Sequence, residues 1–356
     1  MHPLYIGLDV HQNTSTYCIL NHHGQHQRTV TVKGRWPKLI DQLRSLATER
    51  PIIVAYEASL GYGTLYDRLA CFCQRVVVAH PGRLRLIFRA KRKNDRIDAH
   101  KIATLLFMDQ LPQVHVPSID VRAWRELVEF RTSLIHKRTR CKNGLRAVLR
   151  SHALVKPIRQ GLWTRAGRAW LTEVELPTSQ ATLRRDILID ELDHLDRQVQ
   201  RVTQELDRMT KQHPGVALLQ TIHGVGPRTA EAFLAYVDDP HRFAKVRRIG
   251  AYLGLVPCQD SSASVNRLGH VTKEGPATLR RLLVEAAWRA IDHDAALRRT
   301  FDRITAGKPE RRKIALVAVA HKLTRIMLAM LKSGCVYEPG RGLTTESNVT
   351  ESTVAA

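Results

Sequence analysis

The sequence predicts a protein that is α/β at its N-terminal end and mostly α-helical over the rest. Two observations predict this division. Strand-like runs rich in β-branched and aromatic residues lie before residue 80, and apolar residues at helical spacing dominate after it. The chain has 356 residues, 44% of them apolar and 25% charged, which is enough for two or three domains of ~150 residues with packed cores. Disorder throughout the chain is therefore excluded.

The N-terminal elements follow one another in an order that favours a particular fold. In chain order they are strands 5–10, 16–20 and 28–33, a helix around Leu39, Leu43 and Leu46, strand 52–56, helix 62–73, strand 75–79 and a helix from about 95. The three leucines fall at i, i+4 and i+7, and turn residues such as Asn21 separate the first strands. The order βββαβαβα is typical of an RNase H-like domain, in which three antiparallel strands are extended by parallel strands covered with helices.

The middle of the chain predicts two long helices. Residues 118–152 have a helical pattern with nine Lys and Arg against three acidic residues, so this helix could line phosphates or present a solvated face. Further on, apolar residues recur at spacings of four and three, as in a coiled-coil seam: Leu188, Leu192, Leu195, Val199, Val202, Leu206 and Met209. This seam predicts either association between copies or a helical hairpin within one chain, ended by Pro214.

The C-terminal part predicts further helices near 227–237, 276–292 and 311–332, with a polar loop at 258–275. After Cys335 the chain is rich in Gly, Ser and Thr, which predicts a flexible tail. The predicted domains are an α/β domain at 1–117, a basic helix and coiled-coil linker at 118–214, a mostly helical domain at 215–335 and the tail at 336–356.

The charge of the chain indicates its partners. Lys and Arg number 56 against 33 Asp and Glu, and the resulting net charge of +23 favours a polyanion such as a nucleic acid. The six cysteines form no CxxC pair, so neither a disulfide framework nor a zinc site is indicated. The first strand begins without a leader segment, and no uninterrupted apolar run reaches ~18 residues. We therefore expect a cytoplasmic protein with no membrane contact.

Four acidic residues stand where the predicted elements would bring them together. Asp9 lies near the end of the first strand on the face of Gly7, Glu57 ends the strand expected beside it, and Asp95 and Asp98 share one face of the next helix. Gathered carboxylates repel one another unless cations neutralise them, and their oxygens suit Mg²⁺ or Mn²⁺. Two such ions can clamp a phosphodiester. The alternative is that these are turn residues and first-turn helix acids favoured by the helix dipole.

Two more segments could contact nucleic acid. Basic residues crowd the approach to the acidic cluster: Arg83, Arg85, Arg89, Lys91, Arg92 and Lys93. Residues 221–230, TIHGVGPRTA, resemble a helix-hairpin-helix turn, whose glycines would expose backbone N–H groups at a helix start. A structural turn between packed helices explains that segment equally well.

The polar loop contains three serines, Ser261, Ser262 and Ser264, followed by the cations Arg267, His270 and Lys273. Serine in a loop is usually only solvated. Neighbouring cations could stabilise phosphate charge, although spacing alone identifies no general base.

Five segments together resemble the DEDD transposases of the bacterial insertion-sequence one-ten family. They are Gly7-Leu8-Asp9, Tyr56-Glu57-Ala58, Lys93 to Ala99 (KNDRIDA), Ile222 to Gly226 (IHGVG), and Gly254-Leu255-Val256-Pro257 with Ser261-Ser262. The resemblance spans about residues 4–335. It implies a RuvC-like N-terminal domain, a coiled-coil linker and a C-terminal transposase domain with a nucleophilic serine.

Matched residue by residue, the resemblance implies that Asp9, Glu57, Asp95 and Asp98 hold catalytic Mg²⁺ or Mn²⁺. It implies that Ser262 attacks DNA and forms a phosphoserine link; Ser261 and Ser264 stay open as alternatives, since Ala263 stands where the family commonly has glycine. His223 stands where the family often has proline. The family also implies a homodimer or homotetramer, donor and target DNA, and a structured bridge RNA that pairs with both.

Three functions are open at this point. The first is a DNA recombinase that conserves phosphodiester energy in a serine link. The second is a RuvC-type hydrolytic junction nuclease in which the serines are bystanders. The third is a non-catalytic nucleic-acid-binding protein whose acidic residues are structural.

Overall fold

The computed structural model describes residues 1–87, 94–155, 161–211, 213–262 and 265–339, with the backbone alone at 260–262 and 265–268. The chain divides into two units, Met1–Arg122 and Ala123–Ala356. Several predicted features lie outside the described residues: Arg89, Lys91, Arg92, Lys93, Ser264, the side chains of Ser261, Ser262 and Arg267, and the tail from residue 340.

The first unit is built on a five-stranded sheet in the order β3-β2-β1-β4-β5. Its elements are β1 (Leu4–Val10), β2 (Thr14–Leu20), β3 (His26–Lys33), α1 (Trp36–Glu49), β4 (Ile52–Glu57), α2 (Tyr62–Ala70), β5 (Arg75–Ala79), α3 (Pro81–Ile87) and α4 (Asp95–Phe107). The first three strands pair antiparallel, while β1, β4 and β5 run parallel. The predicted mixed α/β class and all five predicted strands are confirmed.

Two details of this unit differ from the prediction. The helix predicted over 62–73 ends at Ala70, because the N–H groups of Phe72 and Cys73 both bond to the carbonyl oxygen of Leu69 and turn the chain towards β5. The short helix α3 has no counterpart in the prediction, because seven residues provide little helical periodicity.

The sheet is covered on both faces. Strand alternation places Ile6 and Tyr56 on one face, in the core that also contains the α1 and α2 side chains. On the other face Ala55 packs with Ile102 and Leu106 of α4. Because β1 and β4 are parallel, their carboxyl ends lie at the same edge of the sheet, and the candidate site residues Asp9 and Glu57 lie at these ends.

The second unit is helical apart from one hairpin. Its elements are α5 (Ile119–Ser151), which begins in the first unit, then α6 (Arg165–Glu173), α7 (Ser179–Thr210), α8 (Pro214–Leu219), α9 (Pro227–Val237), α10 (Arg248–Tyr252), β6 (Pro257–Ser262), β7 (Val265–Val271), α11 (Ala277–Ala290), α12 (Ala295–Thr305) and α13 (Arg312–Ser333). The helices predicted at 118–152, 227–237, 276–292 and 311–332 are confirmed.

The prediction of a polar loop at 258–275 is wrong, because β6 and β7 form an antiparallel hairpin there. Ser261 pairs with Asn266 and Ser262 with Val265, next to the hairpin end. A two-stranded ribbon does not have to bury a continuous apolar face, so this segment lacks the alternation that identifies strands in a sequence.

The seam of α7 packs within its own chain. Leu192, Leu195 and Val199 share a core with Leu134 and Leu145 of α5. Arg138 forms an ion pair with Asp196 at 3.3 Å, and Arg131 Nε donates a 2.8 Å hydrogen bond to the Thr203 hydroxyl. The earlier residue of α5 thus contacts the later residue of α7, so the two helices run antiparallel. The seam therefore forms the intramolecular helical hairpin that the sequence left as an alternative. Helix α7 ends at Thr210, and Pro214 begins α8 instead of ending α7.

One segment of the described chain is long and apolar enough to span a membrane by length and composition, Pro309–Ser333. Half of its most apolar window is buried, and Val319, Leu323 and Met327 are fully enclosed in the core of the second unit. We interpret it as the central helix of this unit, a role for which burial on many sides requires apolar composition.

A buried acid on α9 gives the stability of the protein a dependence on pH. Glu231 is 2% exposed and lies 3.2 Å from Arg228, and burial raises its pKa to about 7 despite the nearby arginines. In the unfolded chain the ordinary pKa of this group is 4.5. Between these values the unfolded chain loses a proton that the folded protein keeps, so the free energy of unfolding should fall by about 3 kcal/mol as pH rises from 4.5 to 7.

Replacing Glu231 by glutamine should remove most of this fall. The measurement is urea unfolding of both proteins at pH 5 and at pH 8, with Glu285→Gln, a change at an exposed acid of α11, as the control. An unchanged difference between the two pH values in Glu231→Gln would contradict the assignment.

Candidate functional site

The site lies at the carboxyl ends of β1 and β4. Leu8 is in register with Tyr56, so Asp9 and Glu57 occupy the next positions on two neighbouring parallel strands. By strand alternation both point to the face covered by α4, on which Ala55 is already buried. The predicted proximity of these two acidic positions in the sheet is therefore a consequence of the register.

Helix α4 crosses directly over β1 at Gly7. A Cβ on Gly7 would overlap the carbonyl oxygen of Ala99 and the amide nitrogen of Ala103, and would lie 2.9 Å from the Cα atom of Ala103. The backbone of α4 thus fills the space beside Gly7. This close approach brings the start of α4 to the end of β1.

The first turn of α4 is fixed by a side-chain cap. Asn94 is extended, and its Oδ1 accepts a 3.0 Å hydrogen bond from the backbone N–H of Arg96. Asp95 is therefore the first helical residue, and Asp98 follows in the first turn. Negative charge in this turn is favourable for the helix dipole, so the two acids also stabilise the helix that carries them.

Three potential ligand atoms converge at this edge, from Asp9, His11 and Asp95, and all lie within 4.8 Å of one another. His11 Nε2 lies 3.4 Å from a carboxylate oxygen of Asp9 and 3.9 Å from one of Asp95. The Asp9 side chain is only 19% exposed, whereas those of His11 and Asp95 are about half exposed. The cluster therefore has one enclosed carboxylate and an open side that a substrate can reach.

The other two predicted acids lie outside this group in the described part of the chain. Asp98 is 25% exposed, with a carboxylate oxygen 3.6 Å from Nζ of Lys101. Glu57 is exposed at the end of β4. The structure therefore brings Asp9 and Asp95 together and places Glu57 and Asp98 on the adjoining strand end and helical turn.

His11 is the site residue that the sequence reasoning missed. It follows Asp9 by two positions, so continued extension of the chain beyond β1 predicts that both side chains point to the same side. The signal lies in the sequence one residue beyond the end of β1, where the alternation of Gly7 and Asp9 continues to His11.

The donor set fits a divalent cation. Carboxylate oxygens suit Mg²⁺ and Mn²⁺, while an imidazole nitrogen favours Mn²⁺ and later transition metals over Mg²⁺. A cation bound here would be held between two protein segments that the close crossing at Gly7 fixes relative to each other.

The glycines of the helix-hairpin-helix-like turn have different surroundings. Gly224 has φ +92°, and a Cβ there would lie 2.7 Å from the carbonyl oxygen of Ala286 on α11, so this glycine serves helix packing. Gly226 precedes α9, and nothing described lies within 4 Å of the corresponding Cβ position. The structural explanation therefore holds for Gly224, while the start of α9 is open beside Gly226.

Comparison with known proteins gives consistent matches along the chain. Residues 6–153 match the family model of the DEDD transposases of the IS110 type, and residues 216–302 match the model described as the transposase IS116/IS110/IS902 family. The chain is 30% identical over 253 residues to a probable family 20 transposase of Pseudomonas aeruginosa, covering 70% of this chain and 75% of that protein.

Two further relatives are named for insertion sequences. The transposase for insertion sequence element IS1111A of Coxiella burnetii is 28% identical, covering 70% of this chain and 69% of that protein. The transposase for insertion sequence element IS1328 of Yersinia enterocolitica is 26% identical, with coverage of 93% and 98%. The two family models, over residues 6–153 and 216–302, together cover the acidic cluster and part of the helical unit.

Proposed function

The chain belongs to the IS110 family of DEDD transposases, enzymes that cleave and recombine DNA, and we propose on that premise that Asp9, Glu57, Asp95 and Asp98 hold its catalytic Mg²⁺ or Mn²⁺. The observation that carries this proposal is the convergence of Asp9 and Asp95, 86 positions apart in the chain, within 4.8 Å. The register of β1 with β4 and the position of Asp98 in the first turn of α4 support the assignment of Glu57 and Asp98 to the same site.

A bound divalent cation would stabilise the charge that develops on the scissile phosphate. The protein's own contribution is to hold the carboxylates in place before DNA arrives. Gly7 allows α4 to approach β1, and Asn94 fixes the first turn of α4. The acidic residues alone would repel DNA, so the excess of basic residues in the chain supports its approach.

The first unit is proposed to be an RNase H-like, and more narrowly RuvC-like, domain. Its strand order, with three antiparallel strands followed by two parallel ones, supports this assignment. We retain the four-part division at 1–117, 118–214, 215–335 and 336–356 as a proposal, with the α5–α7 hairpin as the linker.

We propose that His11 contributes an additional ligand to the site, as its Nε2 distances to Asp9 and Asp95 support. His11→Asn should weaken Mn²⁺ binding by at least about tenfold and Mg²⁺ binding much less, because imidazole prefers the softer ion. Calorimetric titration of the whole protein with each ion, without DNA, measures both affinities. His241→Asn in the second unit is the control. If His11→Asn weakens the binding of both ions equally, or weakens the binding of neither ion, the role of His11 as a ligand is contradicted.

The proposed nucleophile for strand cleavage is the Ser262 hydroxyl. Its oxygen would form an ester bond to the scissile phosphorus while the bond from phosphorus to the leaving sugar oxygen breaks. The serine proton passes to a base, and the leaving oxygen takes up a proton. The reverse attack by a sugar hydroxyl would reseal the strand, so exchange would need no external energy source.

Replacing Ser262 by alanine should abolish a covalent protein–DNA adduct on denaturing gels and strand exchange with it. The matched controls are Ser261→Ala and Ser264→Ala, which should keep the adduct. An adduct retained in Ser262→Ala and lost in one control would move the role to that serine. Cleavage that survives all three changes and depends on Asp9 would favour the hydrolytic junction nuclease instead.

The remaining parts of the proposal concern partners. DNA substrates follow from the family, and we propose donor and target sites, a bridge RNA, assembly as a homodimer or homotetramer, and action at the nucleoid in the cytoplasm. The exposed basic residues of α5 support nucleic-acid binding: Lys137, Arg140, Arg146 and Arg150. Sequencing of RNA that copurifies with the expressed protein tests the RNA partner, since a discrete structured species is expected.

A further inference from the structure

A cleft of about 770 Å³ opens in the first unit next to the acidic cluster. It is formed by the end of β1 with His11, the start of α1 with Arg35 and Trp36, and the segment from Leu60 to Arg68 that enters α2. His11 thus lines the cleft and also contacts the acidic cluster. We call this space the β1–α1–α2 cleft.

The charges around the cleft favour an anion. Arg35 and Arg68 line it, both exposed, and none of the described residues that line it is Asp or Glu. Helices α1 and α2, of 14 and 9 residues, both begin in the cleft, and neither has a side-chain cap at its N-terminus. The positive ends of two helix dipoles therefore add to the two guanidinium groups.

The same cleft also has an apolar surface. Leu60 is 98% exposed there, although leucine side chains of this size are usually covered. Trp36 lies against Gly61, which has φ +79° and whose Cβ position is 2.7 Å from the indole Cη2 atom. The Trp36 Nε1–H is buried without a hydrogen-bond acceptor among the described residues. An exposed aliphatic side chain and an aromatic ring beside cationic groups suit the base and the phosphate of one nucleotide.

We propose that the β1–α1–α2 cleft binds an unpaired nucleotide of the DNA strand next to the scissile phosphate. Its base contacts Trp36 and Leu60, and its phosphate contacts Arg35 and Arg68. A base stacked inside a duplex cannot present its face to such a surface, which is why the occupant is unpaired. The inference rests on the proposed function in one respect: that the strand cleaved at the acidic cluster continues into the adjoining cleft.

The test measures binding without catalysis. Fluorescence anisotropy in EDTA gives the affinity of the full-length protein for a short single-stranded DNA and for an abasic strand of the same length. The variants are Leu60→Ala and the double change Arg35→Ala with Arg68→Ala, all at exposed positions. The matched controls are Met108→Ala, at the opposite end of α4, and Arg50→Ala, before β4. Circular dichroism verifies that every variant is folded.

The unmodified protein should bind the base-bearing strand about fivefold or more tightly than the abasic strand. Leu60→Ala should lower this ratio to about twofold or less and leave abasic binding unchanged, whereas the double arginine variant should weaken both strands alike. The control variants should bind the base-bearing strand and the abasic strand as tightly as the unmodified protein does. A ratio insensitive to Leu60, or an RNA strand that binds the cleft more tightly than DNA, would overturn the proposal.

The outcome is independent of the proposed catalytic function. If the Asp9 cluster does not cleave DNA, the base-dependent difference measured in EDTA can still be present. If the cluster does cleave DNA but Leu60→Ala behaves like Met108→Ala, the nucleotide site alone is refuted.

Discussion

Replacing Asp9 by asparagine is expected to lower DNA cleavage and strand exchange in Mg²⁺ by at least about 10³-fold, which corresponds to roughly 4 kcal/mol of lost transition-state stabilisation. The asparagine amide has nearly the same shape as the carboxylate but no negative charge, so the protein should stay folded. Asp9 is the most enclosed acid of the converging group, at 19% exposure, and its partner Asp95 comes from a different element. Water has little access to the position of this carboxylate, so solvent cannot readily take over its role when the charge is lost.

The measurement is the rate of cleavage of DNA that carries the ends of the element, with binding of the same DNA measured in EDTA. Asp95→Asn should reproduce the loss, while Asp41→Asn, a change at an exposed acid of α1, should have the activity of the unmodified protein. Full cleavage activity in Asp9→Asn would contradict a catalytic role for the acidic cluster. Unchanged DNA binding in Asp9→Asn, together with no cleavage by the unmodified protein, would favour the non-catalytic nucleic-acid-binding function, in which the acids are structural.

Replacing Gly7 by valine is expected to lower the free energy of unfolding by about 3 kcal/mol or more and to abolish divalent-cation binding at the acidic cluster. The added side chain would overlap the backbone of α4 at Ala99 and Ala103, and backbone atoms cannot move aside as a flexible side chain can. Helix α4 must therefore shift away from β1. Because Asp95 is the first residue of that helix, the shift separates it from Asp9.

Urea unfolding and Mn²⁺ titration of the full-length protein measure the two effects. Gly161→Ala is the control, because within the described chain the Cβ added there would meet only a methyl group of Thr164, at 4.0 Å. Gly7→Ala should have an intermediate effect on both quantities. Normal stability and Mn²⁺ affinity in Gly7→Val would show that the crossing of α4 over β1 is not close.

The parts of the site that the sequence predicted are those set by local geometry. Alternation along β1 places Asp9 on the face of Gly7, and the βββαβα pattern predicts that β1 and β4 are neighbours. The placement of Asp95 and Asp98 in one helical turn follows from their spacing of three residues. None of these inferences requires knowledge of which side chains touch.

What the sequence could not give depends on packing between distant segments. The distance between Asp9 and Asp95 is set by the backbone contact at Gly7, and a glycine in a strand does not reveal which element approaches it. The seam of α7 has the same apolar spacing whether α5 or another chain covers it. Which partner it packs against becomes visible only in the folded structure.

The most direct test of the metal site is anomalous diffraction from crystals of the protein soaked in Mn²⁺. We expect an anomalous peak within coordination distance of both Asp9 and Asp95, with His11 beside it and Glu57 and Asp98 turned towards it. A map in which these carboxylates lie apart, or in which Mn²⁺ binds elsewhere and leaves this edge of the sheet without a peak, would contradict it.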